Sequence, residues 1–204
     1  LRLKKRFQKQ KIVLRVYKAS KKRRYGGGLR EAARLAAGSF FGILDIDDAL
    51  TPGSVDHVMS IYKQYPKVGH IYTQFATCDC NLIVQHDGFA RAPRTGSSIL
   101  EEGLKYDQHV YSHFRTFSRR VPRFLSIFDK HGRFAIDQYM GLALEQKASG
   151  MFTNRVCYLY RSGCSTSISA KYGGPRREFW YKLMNRVAAY RRTKSVKVYP
   201  IESV

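Results

Sequence analysis

The chain has 204 residues, 44% of them hydrophobic, which is enough for one domain with a real core. It carries 37 Lys and Arg against 15 Asp and Glu, a formal net charge of +22. It shows no apolar run of membrane-spanning length and no secretory signal, and its first residue, Leu1, suggests a piece of a longer protein. The charge is unevenly spread. Residues 1–30 hold 13 cations and no acid, and residues 171–204 hold nine against two, so the middle is nearly neutral and both ends suit phosphate-rich partners. Cys78, Cys80, Cys157 and Cys164 form no CxxC pair and have no His at zinc-finger spacing, and are expected to be free thiols in a reducing cytosol.

In chain order, "KIVLRVY" (11–17) reads as a strand. A basic loop and the glycines 26–28 then read as a turn. "LREAARLAA" (29–37) is a short helix with Leu29, Ala32, Ala33 and Ala36 on one face, stopped by Gly38. Residues 40–45 read as a buried strand. Thr51 and Pro52 are expected to cap and open a helix over 53–64 with the stripe Val55, Val58, Met59 and Tyr62. "VGHIYTQFA" and "NLIVQH" read as strands, "SSILEEGL" as one helical turn, and "HVYSHFRTFSRR" as a strand with a basic tip. Residues 136–149 read as a helix with Met140, Ala143, Leu144 and Ala148 inward, and 155–161 as a strand. A final amphipathic helix carries the stripe Phe179, Leu183, Val187 and Tyr190, and either docks on its own domain or lies on anionic lipid. Alternating strands and helices predict an α/β fold, a mixed sheet flanked by helices with a basic C-terminal helical extension.

The acidic cluster in "FFGILDIDDALTP" (40–52) is the strongest chemical signal. Asp45, Asp47 and Asp48 repel one another at a strand end, and such a cluster is best tolerated around a cation. Capping of the next helix explains the turn but not all three carboxylates together.

Four motifs in fixed order give this chain a resemblance to family 2 glycosyltransferases, which have the GT-A (Rossmann-like) fold. They are "LAAGSFFGILDIDDALTP" (35–52), "SHFRTFSRR" (112–120) after the strand "VGHIYTQF", "AIDQYMGLALEQ" (135–146), and "VCYLYRSG" (156–163). The resemblance implies a GT-A-like domain over 1–165 and a basic extension over 166–204. It implies that Asp47, with Asp45, holds Mg²⁺ or Mn²⁺ against the diphosphate of a nucleotide-sugar, UDP-sugar foremost. Arg30 and Arg161 would bind the donor, and His113 and Arg115 the acceptor. Asp137 would be the catalytic base of an inverting transfer to a saccharide or lipid-linked acceptor. The implied setting is the cytoplasm, peripherally at the inner membrane face. The family's opening strand and its acidic nucleobase-binding turn would precede residue 1, which leaves an inactive glycosyltransferase-like fragment as one alternative. The other is a basic nucleic-acid-binding protein, favoured by net charge and the 13% aromatic content but not by any RRM, KH, zinc-finger or helix-turn-helix pattern.

Overall fold

In a computed structural model the described residues are 16–17, 25–128, 136–164 and 173–204. Most of the strand expected at 11–17 lies outside them. The elements are α1 (Tyr25–Leu35), β1 (Phe40–Gly42), β2 (Ala49–Leu50), α2 (Ser54–Gln64), β3 (His70–Cys78), β4 (Val84–Asp87) and α3 (Ile99–Tyr106). There follow β5 (Thr116–Ser118), a 3₁₀ turn (Phe124–Ile127), α4 (Ile136–Leu144), β6 (Gly150–Arg161), α5 (Gly173–Lys194) and β7 (Ile201–Ser203). The architecture is the expected α/β one, a seven-stranded mixed sheet with helices around it.

The sheet is organised around two long strands. β3 and β6 run parallel, from His70 opposite Gly150 to Cys78 opposite Arg161, with register shifts around Gln74. Each is flanked on its free side by two short strands. β5 pairs antiparallel with the start of β3, and β4 with its end. β7 pairs parallel with the start of β6, and β2 antiparallel with its end. β1 lies outermost, antiparallel to β5. β3 is almost wholly buried, as its apolar and β-branched run requires of a central strand.

Several local expectations are corrected. The glycines 26–28 are the first turn of α1 and not a loop; Gly26 and Gly27 are buried there. Residues 40–45 are not a buried strand, because β1 is three residues long at the sheet edge. Phe40 is 37% and Leu44 49% exposed, and only Ile43 is buried. The N-cap of α2 is Gly53, in the left-handed region at φ 74°. Thr51 instead donates its hydroxyl to the Val156 carbonyl of β6, and Ser54 donates to that of Cys157, so the helix start is tied to the sheet. The buried face of α2 is Ser54, Val58, Ile61 and Tyr62, while Val55 and Met59 face outward. α3 is two turns long and not one, with a full capping box between Ser98 and Glu101. Of the strand expected over 109–120, only Thr116–Ser118 pairs into the sheet. The helix expected over 136–149 ends at Leu144 and buries Ile136, Met140, Gly141, Leu142 and Leu144, leaving Ala143 and Ala148 only half-buried. Cys80 and Cys164 form a disulfide with their Cα atoms 5.7 Å apart, because the parallel pairing brings the segments just past β3 and β6 together; Cys78 and Cys157 are buried free thiols.

The C-terminal helix docks on its own domain, but on a different stripe. Trp180, Met184 and Ala188 are buried, while Phe179 and Tyr190 are exposed. The stripe is rotated because α5 crosses α3 at Gly103, where an added Cβ would lie 2.2 Å from the Met184 sulfur. Among the described residues no helix is long and apolar enough to cross a membrane.

Two buried acids hold these helices. Glu102, fully buried, accepts from Arg91 at 2.5 Å, from the Arg94 backbone N–H at 2.7 Å and from the Arg94 guanidinium. Burial alone would push its carboxyl up, but the two arginines hold it below the usual value. Glu145, just past α4, accepts from the Ile99 N–H at 2.7 Å at the start of α3 and from Arg191 at 2.6 Å near the end of α5. Its carboxyl is raised, burial outweighing Arg191. Removing Arg191 would strand that charge. Arg191→Met is therefore expected to cost about 3–5 kcal/mol at pH 8 by urea unfolding. The raised carboxyl binds its proton more readily in the folded than in the unfolded state. The loss in Arg191→Met should accordingly shrink as the pH falls and Glu145 takes up its proton.

Candidate functional site

The loop between β1 and β2 passes over the C-terminal ends of β3 and β6, and the hydrogen bonds fix which carboxylate does what. The Ile43 N–H donates to the Arg115 carbonyl, so the loop starts alongside the segment leading into β5. Asp48 is fully engaged. One carboxylate oxygen accepts from the Tyr158 hydroxyl at 2.7 Å and the other from the Arg161 N–H at 2.8 Å. Tyr158, with no exposed surface, also accepts from the Asp45 N–H at 3.1 Å, so one phenol pins both ends of the turn. Burial, outweighing these two donors, raises the Asp48 carboxyl, with Asp47 and Asp45 adding to it.

Asp45 and Asp47 are left for other work. Asp45 is half-buried, with one oxygen accepting from the Tyr25 hydroxyl of α1 at 2.6 Å, and Asp47 is exposed. Among the described residues no group of three or more His, Cys, Asp or Glu side chains is gathered as for a metal. Hard cations such as Mg²⁺ are commonly held by one or two carboxylates plus substrate phosphates, and Asp45 and Asp47 supply that kind of donor set.

Across the cleft stands Arg115, 2% exposed. Its guanidinium lies 3.6 Å from a carboxylate oxygen of Asp137, at the start of α4, and donates from Nη2 to His113 Nδ1 at 3.1 Å. Because Arg only donates, His113 accepts at Nδ1 and carries its proton on Nε2. Burial would lower the Arg115 value, but Asp137 first, then Tyr25, Tyr111 and Asp45, outweigh it and keep the guanidinium charged. Among the described residues its Nε and Nη1 have no hydrogen-bond partner. Asp45 and Asp137, 92 positions apart by their numbers, are thus joined through one buried cation.

The His113 ring stacks on Tyr158 at 4.6 Å and on Tyr160 at 5.3 Å, and meets the edge of Phe75 at 5.8 Å. The cleft floor is therefore an aromatic shelf rooted in β3 and β6. His109 adds a second imidazole, with Nε2 3.9 Å from Asp137.

The structure brings together Asp45, His113, Arg115 and Asp137. Two expected donor ligands point elsewhere. The Arg30 guanidinium donates to the Leu125 carbonyl at 2.6 Å, and that of Arg161 to the Cys80 carbonyl at 3.0 Å. Sequence reasoning missed Tyr25, Tyr158 and His109. Tyr158 stands in the quoted "VCYLYRSG" and was legible as part of a motif, but Tyr25 and His109 carry no spacing signal.

A family model described as glycosyl transferase family 2 matches residues 2–136. A curated relative, chondroitin synthase of Escherichia coli, is 24% identical over 187 residues. That alignment takes in 91% of this chain but 26% of the relative, so the chain spans about a quarter of the length of the protein it matches.

The hydrogen-bond pattern separates the two tyrosines. Tyr158→Phe leaves a buried carboxylate and a backbone N–H short of a partner and is expected to cost about 1–3 kcal/mol of stability. Tyr25→Phe, at an exposed position, should stay within about 0.5 kcal/mol. Urea unfolding of the two variants side by side checks this.

Proposed function

The chain belongs to glycosyl transferase family 2, and from that membership we propose an inverting, divalent-metal-dependent transfer of a sugar from a nucleotide-diphosphate donor, UDP-sugar foremost, to a saccharide or lipid-linked acceptor. The observation that carries the reading is Arg115, whose buried charge pairs with Asp137 at 3.6 Å and also feels Asp45. Family membership favours this reading over the nucleic-acid-binding alternative, which rests on net charge and aromatic content.

Asp45 and Asp47 would hold Mg²⁺ or Mn²⁺, which when bound supplies positive charge against the diphosphate leaving group. Asp45 would also reach the donor's ribose or sugar. The acceptor hydroxyl gives its proton to the Asp137 carboxylate as its oxygen bonds to the anomeric carbon. The bond from that carbon to the diphosphate breaks on the opposite side, and the electron pair leaves with the nucleotide. Arg115 pairs with Asp137 and orients it, and the His113 Nε2–H, on the shelf beside it, donates to the acceptor. Arg30 and Arg161 would join the donor only by leaving their present carbonyl partners. The relative's name points to a growing polysaccharide as the acceptor, and the basic C-terminal helix to an anionic membrane surface. The cytoplasmic face of the membrane is the proposed setting.

The test is calorimetric titration with UDP, with Mn²⁺ and then with EDTA, on the wild type, Asp47→Ala and Asp137→Asn. Binding is expected to need metal, to be lost in Asp47→Ala and to survive in Asp137→Asn. Transfer by Asp137→Asn should fall by about 10²–10⁴-fold. Binding indifferent to EDTA and to Asp47→Ala would overturn the metal assignment, and no binding by the wild type would favour an inactive fragment.

A further inference from the structure

Phe89, two residues past the end of β4, is 61% exposed. Its ring contacts two others. It meets Phe75 at 5.2 Å and 88°, and His109 at 6.2 Å and 57°. The preceding residue enforces this approach, since a Cβ at Gly88 would fall 2.5 Å from the Phe75 ring. His109 is the link to the chemistry, with Asp137 at 3.9 Å on one side and the indole of Trp180 edge-on at 5.7 Å on the other. A second route, Phe75 to His113 to Arg115, ends on the same carboxylate. The contacts thus run from Arg115 through Asp137 and His109 to Phe89.

Resting on the reading of Asp137 as the base, we propose that Phe89 and His109 form the acceptor subsite, where a pyranose ring at a glycan chain end lies on the open face of Phe89. A sugar ring has one face of C–H groups and a rim of hydroxyls. Covering the phenyl with that face removes apolar area from water on both partners and sets polarised hydrogens against the negative π face. The hydroxyls at the inner rim then reach Asp137, against which the buried His109 Nε2 is set. The phenyl costs little entropy to fix, being already wedged between two rings. Trp180, the one tryptophan of the chain, lies behind His109 and reports occupancy.

The experiment follows Trp180 emission in the full chain during titration with a chondroitin oligosaccharide and with a neutral cello-oligosaccharide. Wild type, Phe89→Ala and Phe89→Tyr are compared, and UDP binding is measured on the same samples. A saturable change with at least one saccharide is expected in the wild type. Its affinity should fall about tenfold in Phe89→Ala, the worth of one stacked ring, and stay within about twofold in Phe89→Tyr. UDP affinity should be equal in all three. The subsite is overturned if neither saccharide moves the emission, if Phe89→Ala binds like the wild type, or if Phe89→Ala also loses UDP. Saccharide binding through Phe89 in a chain that binds no UDP would leave the subsite standing and remove the donor reading instead.

Discussion

A guanidinium with almost no access to water must be neutralised by carboxylates, and Arg115 imposes that demand on the whole cleft. An unpaired charge at such depth costs several kcal/mol, so Asp137 must come to the start of α4 and the Asp45 loop must pass close by. The aromatic surroundings sharpen the demand. Tyr111, His113 and Tyr158 exclude water around the ion and lower the local dielectric, which strengthens each attraction. The same placement separates the labour of the three acids in "LDIDD". Asp48 is spent on the Tyr158 hydroxyl and the Arg161 N–H. That leaves the other two facing the cleft.

The rest of the molecule obeys the same rule. Glu102 is buried with Arg91 and Arg94, and Glu145 with Arg191, each also accepting a backbone N–H that would otherwise be orphaned. These pairs stand where α3, α4 and α5 converge, so the helical layer is registered by charge as well as by packing. Their excess of Arg over acid also explains part of the basic composition as structure.

Much of the architecture was legible in the sequence because strand and helix periods differ, and the order of the motifs pointed to the family. The aspartate cluster and Asp137 were legible for the same reason. The failures share a cause, which is that a one-dimensional pattern does not say which face meets a partner. α5 turns toward α3 because Gly103 leaves room for Met184, and nothing within α5 announces it. β1 looked buried from its apolar run but lies at the sheet edge. Thr51 looked like a cap, yet its hydroxyl is claimed by a strand more than a hundred residues away. Cys80 and Cys164 meet across a separation of 84 residues, which local spacing does not encode.

The central parallel ladder has a kinetic consequence. β3 and β6 contribute most of the shelf and the phenol that pins the aspartate loop, and the segments just past them are joined by the disulfide, yet everything from β4 through α4 must be looped out before they can pair. Contacts of such long sequence separation raise the contact order, and chains of high contact order fold slowly. Closing the loop costs entropy that only the finished ladder repays. The cleft is thus assembled late, after local helices such as α3, with its own capping box, have formed, and a chain caught midway exposes the unpaired edge of its most apolar strand.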